Sequence, residues 1–193
     1  MYYKIKEDGI FKIDLGTFWD SGECVGVFKM TEWDNEKILW EKCGIWHTVD
    51  EIHFCKMESH RDFLYGTFQM PAKEYGKKDE LFAIYILKDR VIILSDDDSI
   101  DKNIIRISGH AIAKDYSLER FIYDFFMSFI EDELLFLQKI EHKITGIEEQ
   151  VMKEQSDKFN IGLLKLKKII ARFYHYYTQL AEAGDELAGN EEE

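Results

Sequence analysis

The sequence predicts an α+β fold: an αβα sandwich around a mixed β-sheet, followed by a long antiparallel helical hairpin. Three observations carry that prediction. The runs Leu81–Leu87 and Val91–Leu94 are apolar on successive residues, which suits central strands covered on both faces. The chain changes character near residue 115, from short β-type runs between turns to sustained helical periodicity. Beyond that point, apolar residues recur at alternating steps of three and four in two segments joined by a short polar link. Residues 1–115 are therefore read as the sandwich portion and 116–193 as the hairpin.

In the first portion, Tyr2–Lys6 and Ile10–Leu15 flank Glu7-Asp8-Gly9, and Asp-Gly between two such runs signals a β-hairpin. A third strand is expected over Glu23–Met30. Asp34–Lys42 reads as a short helix, capped by Thr31 or Asp34 and stopped at Gly44. The segment WHTVDEIHF fits neither period. Further strands are expected around Asp62–Met70, Leu81–Leu87, Val91–Leu94 and Asn103–Ile107.

The second portion opens at Ser117, an N-cap followed by Glu119 and Arg120. Apolar residues then recur at Phe121, Phe125, Phe129, Leu134, Leu137, Ile140, Ile144, Ile147 and Val151, and no strong breaker precedes Ser156-Asp157. One continuous helix of about 35–38 residues, roughly 55 Å long, is expected. The return helix starts at Ser156, Asp157 or Asn160. Its seam runs through Leu163, Leu166, Ile170, Phe173, Tyr177, Leu180, Gly184 and Leu187. The short link Met152–Phe159 makes the two helices antiparallel neighbours. Gly146 inside the first of them costs about 1 kcal/mol relative to alanine, and a close helix crossing is the simplest reason for it.

Composition bounds the function. Of 193 residues, 46% are hydrophobic and 33% charged, so the chain can fill a core and keep a solvated surface. Acids outnumber bases 38 to 25, for a net charge of -13. That field repels nucleic acid and attracts cations. Three scattered cysteines, Cys24, Cys43 and Cys55, form no disulfide framework and no CxxC pair. The N-terminus lacks a signal-peptide pattern, and LFAIYIL and VIIL are far shorter than the roughly 20 residues that cross a bilayer. This stretch is expected to be cytosolic and soluble.

Several clusters are candidates for chemistry. His47, His53, Cys55, Glu58 and His60 gather types that bind transition metals, in spacings that match no zinc pattern. Asp96-Asp97-Asp98-Ser99 follows an apolar strand, where carboxylates can hold calcium or magnesium, yet the EF-hand spacing is missing. Lys165, Lys167, Lys168 and Arg172 form a basic patch, in which Lys167 and Lys168 are expected to pair with acids of the preceding helix or, alternatively, to contact another subunit. A GxSxG elbow, P-loop, GxGxxG and HExxH are all missing, so no enzyme and no organic cofactor is expected.

These elements, in this order, resemble the cytoplasmic part of CorA-type magnesium transporters. The likeness lies in SLERFIYDFFMSFIEDELLFLQKIEHKITGIEEQV and the return LLKLKKIIARFYHYYTQLAEAGDELAGNE, similar to the family's long helix and the start of its stalk. EKCGIWHTVDEIHF resembles the helix-turn that carries an acidic residue in relatives, and its best match is Asp50 or Glu51. The family's Gly-Met-Asn motif is absent from these residues, as is its usual Gln-Arg-Pro-Lys after Glu51, where the chain reads HFCKM. The resemblance implies a regulatory and assembly domain for a transporter of Mg2+, or of Co2+ or Zn2+. It implies a homo-oligomer, pentameric in the full-length protein, lying on the cytoplasmic face of the cell membrane. It also implies a stalk and a membrane segment after Glu193, and a cation held at Asp50 and Glu51. The competing reading is a cytosolic coiled-coil adaptor.

Overall fold

The computed structural model describes residues 1–35, 41–45, 49, 51–110, 115–131, 133–152 and 157–189. Among these, seven strands form one mixed sheet: β1 (Tyr2–Lys6), β2 (Gly9–Ile13), β3 (Cys24–Phe28), β4 (Lys56–Ser59), β5 (Phe63–Met70), β6 (Glu80–Leu87) and β7 (Arg90–Leu94). Their order is β2-β1-β3-β7-β6-β5-β4. Only β3 and β7 run parallel, with Val25 opposite Val91 and Val27 opposite Ile93; the remaining neighbours are antiparallel.

The alternation of side chains along a strand explains why the central runs are apolar throughout. Phe82, Ile84, Val91 and Ile93 face one helical layer, with Val25 and Val27 beside them. Ala83, Tyr85, Ile92 and Leu94 face the other way, onto Phe18, Trp33, Ile45 and Ile52. The second face is covered by α1 (Leu15–Asp20), α2 (Met30–Asn35) and residues near Ile45. The first is covered by α3 (Ser99–His110), α4 (Leu118–Ile130) and part of α6 (Asp157–Gly189), which pairs with α5 (Glu133–Met152). The αβα sandwich and its helical hairpin are thus both present.

Three local readings are corrected. Asn103–Ile107 is helical, within α3, because Ile100, Ile104 and Ile107 recur at steps of four and three and bury one stripe, leaving Ile105 out in solvent. The second strand stops at Ile13, since Asp14 accepts from the Thr17 backbone N–H at 3.0 Å and caps α1. The long helix is interrupted at Glu131, whose backbone stays helical and donates to the Met127 carbonyl. The buried stripe nevertheless passes through the break, from Phe121, Phe125 and Phe129 to Glu133, Phe136 and Ile140.

Other details follow the reading. Ser117 caps α4, accepting from Arg120 N at 3.2 Å. Gly44 stops a helical turn at a left-handed φ of 68°, which glycine adopts without strain. The helix expected over Asp34–Lys42 starts earlier than its expected cap, since α2 spans Met30–Asn35 with Thr31 and Asp34 inside it, and residues 36–40 lie outside the described residues. The hairpin seam is rotated slightly. Glu133 and Phe136 are buried where Leu134 and Leu137 were expected, and Ile169, Tyr176 and Ala183 join Leu166 and Phe173 on α6. Phe136 packs on Phe173 with ring centroids 4.5 Å apart and the rings tilted, an aromatic contact a leucine pair does not offer. Gly146 has open space around it, so no close crossing accounts for it.

Candidate functional site

The expected cation residues are only half visible. Asp50 lies outside the described residues. Glu51 is solvent-exposed, and its Oε2 stands 3.2 Å from Nε2 of His53. Among the described residues, no group of three or more His, Cys, Asp or Glu could hold a metal ion.

The surrounding histidine and cysteine candidates are dispersed by the fold. His47 lies outside the described residues. His53 points to solvent, while Cys55 is buried beneath α6. They share no face, because β4 begins only at Lys56. The Cys55 N–H donates to Oε1 of Gln179 at 3.0 Å, and burial pushes its thiol up to about 11, against a weak contact to the Gln69 carbonyl. Glu58 pairs with Lys56 at 2.8 Å, and His60 stacks on Phe63. The aspartate run serves as a structural turn. Asp96 Oδ1 accepts from the Met30 N–H, Asp97 Oδ1 from the Ser99 N–H, and Asp98 pairs with Lys29 at 3.2 Å.

The charged groups that the fold does bring together sit where the hairpin meets the sandwich. Asp79, just before β6, accepts from the Ala72 N–H at 3.0 Å, from Gln69 Nε2 at 2.8 Å and from the Arg172 guanidinium on α6. Burial alone would raise the Asp79 carboxyl, but these three donors outweigh it and hold the group below its ordinary value. Glu133, 7% exposed, is bound by the Tyr177 hydroxyl and by Lys73, whose Nζ is 3.2 Å away. Burial, followed by the hydrogen bond to Glu133, raises the Tyr177 phenol.

The basic patch on α6 joins the same region. Lys165 and Lys168 lie over the ring of Tyr75, in the β5–β6 loop, and Arg172 binds Asp79. All three therefore face the sandwich, Lys168 among them, for which pairing with acids of α5 was expected. Beside this joint opens a cleft of about 690 Å³, between the β5–β6 loop, the start of α3 and α6. Sequence reading missed Asp79, Glu133 and Lys73. The available signal was a carboxylate standing on an otherwise aromatic stripe, four residues after Phe129 and three before Phe136.

Among the described residues, no helix is long and apolar enough to cross a membrane. No curated protein matches the sequence. Solved structures do match the fold. The full-length CmaX protein superposes with a TM-score of 0.72 at 12% identity, over 97% of this chain and 62% of that one. The soluble domain of CorA from Methanocaldococcus jannaschii gives 0.70 at 14% identity, over 95% and 77%. The ZntB cytoplasmic domain from Vibrio parahaemolyticus gives 0.60 at 9% identity, over 99% and 97%. The chain thus spans less than two thirds of the full-length CmaX protein. The profile of the CorA-like Mg2+ transporter protein family matches residues 42–193, from before the expected acidic turn to the end of the hairpin, and the chain belongs to that family.

Proposed function

We propose that this chain is the cytoplasmic regulatory and assembly portion of a CorA-like transporter of Mg2+ or a related divalent cation, working as a homo-oligomer and without catalysis. The family match over residues 42–193 carries the reading. In it, residues 1–115 form the sandwich portion, and residues 116–193 carry its state toward the pore through the joint at Asp79 and Glu133.

The surface suits assembly. Leu134 and Leu135 on α5, and Ile161, Leu164 and Tyr174 on α6, are all more than half exposed. Such side chains favour a further protein surface over water. Asp50 and Glu51 supply carboxylates adjacent in sequence, and that of Glu51 is exposed. Facing an acidic group of a neighbouring copy, they would repel it until a hard cation bridged the two. The chain's net charge of -13 adds to that repulsion.

The test is sedimentation of the protein, with its membrane segment where one follows, across micromolar to millimolar Mg2+. Association or thermal stabilisation should rise with Mg2+ and weaken in the double variant Asp50→Ala, Glu51→Ala. An unchanged response in that variant rejects these residues as the cation site. A full-length protein that neither assembles nor conducts divalent ions rejects the transporter reading itself.

A further inference from the structure

No backbone breaker accounts for the end of α4 at Ile130. Residues 126–136 contain neither glycine nor proline. Where those are missing, a side chain inserted into the hydrogen-bond ladder is a principal cause of a break. Core packing does not call for a stop either. Phe121, Phe125, Phe129, Glu133, Phe136 and Ile140 follow at steps of four, four, four, three and four, the spacing of one unbroken helix.

A group from α3 stands at the stop. The ladder of α4 closes with the Glu131 N–H on the Met127 carbonyl at 3.0 Å. The next acceptor along it, the Ser128 carbonyl, receives Nη2 of Arg106 at 2.8 Å. The same nitrogen donates to Oδ1 of Asn103 at 3.1 Å, and Nδ2 of Asn103 donates to Oγ of Ser128 at 2.5 Å. Ser128 Oγ turns back onto the Phe125 carbonyl, a bond that slightly destabilises a helix and often bends it. Nη1 of Arg106 lies 3.8 Å from the Glu131 carboxylate, which is 72% exposed, so this ion pair is the weaker contact.

Both gripping residues have a fixed base. Asn103 and Arg106 are one turn apart on α3, whose Ile100, Ile104 and Ile107 are buried in the core. A guanidinium carries its donors in a rigid fork, so one pose spans both acceptors. A cation at the last turn also meets the negative end of the helix dipole. We infer that Arg106 is a tertiary helix stop: by holding the Ser128 carbonyl it ends α4, keeps α5 a separate helix and fixes the direction in which the hairpin leaves the sandwich. Without that bond, the two segments join into the continuous helix that their spacing allows. The device belongs to the fold and does not depend on what the chain regulates.

Amide hydrogen exchange of the 193-residue chain, read residue by residue by nuclear magnetic resonance, tests the inference. The first N–H groups of a helix have no partner within it. Leu134 and Leu135, in the first turn of α5, should therefore exchange readily in the parent while Phe125 and Ile140 stay protected. In R106Q the carbonyls of Ile130 and Glu131 become their acceptors, and exchange at both should slow at least about tenfold. E131Q removes only the exposed ion pair and should exchange as the parent does. Protection of Leu134 and Leu135 equal to that of Ile140 in the parent overturns the stop before any variant is made. A folded R106Q, its β6 amides still protected, in which both leucines exchange as before also overturns it, as does equal slowing in E131Q.

Discussion

Asp79 accepts three hydrogen bonds from three parts of the chain: the Ala72 backbone, the Gln69 side chain on β5, and Arg172 on α6. A carboxylate so placed leaves several donors stranded when it is removed, so Asp79→Ala should cost about 1–3 kcal/mol. The pH dependence follows from its lowered folded-state value. Because the folded group binds its proton less readily than the unfolded one, its contribution is fully present above the ordinary carboxylate range. It is lost as pH falls through the depressed value. Urea melts of the parent and Asp79→Asn should therefore differ most near neutrality and converge in acid. A gap that persists at low pH contradicts the role of ionised Asp79. Cys55 offers a second residue-level test. Its thiol, pushed up to about 11 by burial, should be alkylated far more slowly in the native chain than in urea at pH 8.

At the scale of single elements, Gly146 is the clearest case. It lies in the middle of α5 with nothing near the position a Cβ would take. Gly146→Ala should stabilise the chain by about 0.5–1 kcal/mol, read as a rise in Tm of a few degrees. A loss of stability would point to a neighbour at this position in an assembly. Elements also show where sequence was legible. The strands β5, β6 and β7 and the cap at Ser117 follow from local pattern alone. The helix α3 does not, since Ile104-Ile105 looks β-like until the sheet shows that Ile100, Ile104 and Ile107 point one way. Strand β4 was equally hidden, being four residues long and mostly polar and, among the described residues, paired with β5 alone. The seam of the hairpin shifted because periodicity counts every leucine as core, while tertiary packing prefers Phe136 against Phe173 and tolerates Glu133 beside Lys73 and Tyr177.

For the whole molecule, both the sheet face and the hairpin share one buried cluster, in which Phe68 meets Phe82 and Phe126, Phe82 meets Phe125, and Phe136 meets Phe173. Cooperative unfolding is the expected consequence. The sequence supplies two separate probes. All four tryptophans fall within the first 46 residues, with Trp19 and Trp33 on the face opposite the hairpin, whereas most helical residues lie beyond residue 98. Fluorescence and far-ultraviolet circular dichroism should trace a single superimposable urea transition. Two separated midpoints would mean that hairpin and sandwich melt independently. The candidate site at Asp50 and Glu51 was legible only through family likeness, since two neighbouring acids in a chain with 38 carry no geometric signal of their own. The joint was illegible for a different reason. Its members come from residues 69–79, 133 and 172–179, and only folding makes them neighbours.

Arg172 to Asp79 in that joint, and Gln179 to the Cys55 backbone beside it, fasten the same helix to the sandwich. They are seven residues apart, a separation of about 10 Å along α6. A beam held at one point swivels, and the load at its far end never reaches the support as a bending moment. A beam held at two points is a cantilever: pushing its free end drives one anchor inward and pulls the other away. Any sideways force on the distal part of this hairpin is thus converted into opposed stresses on the β5–β6 loop and on the start of the edge strand β4.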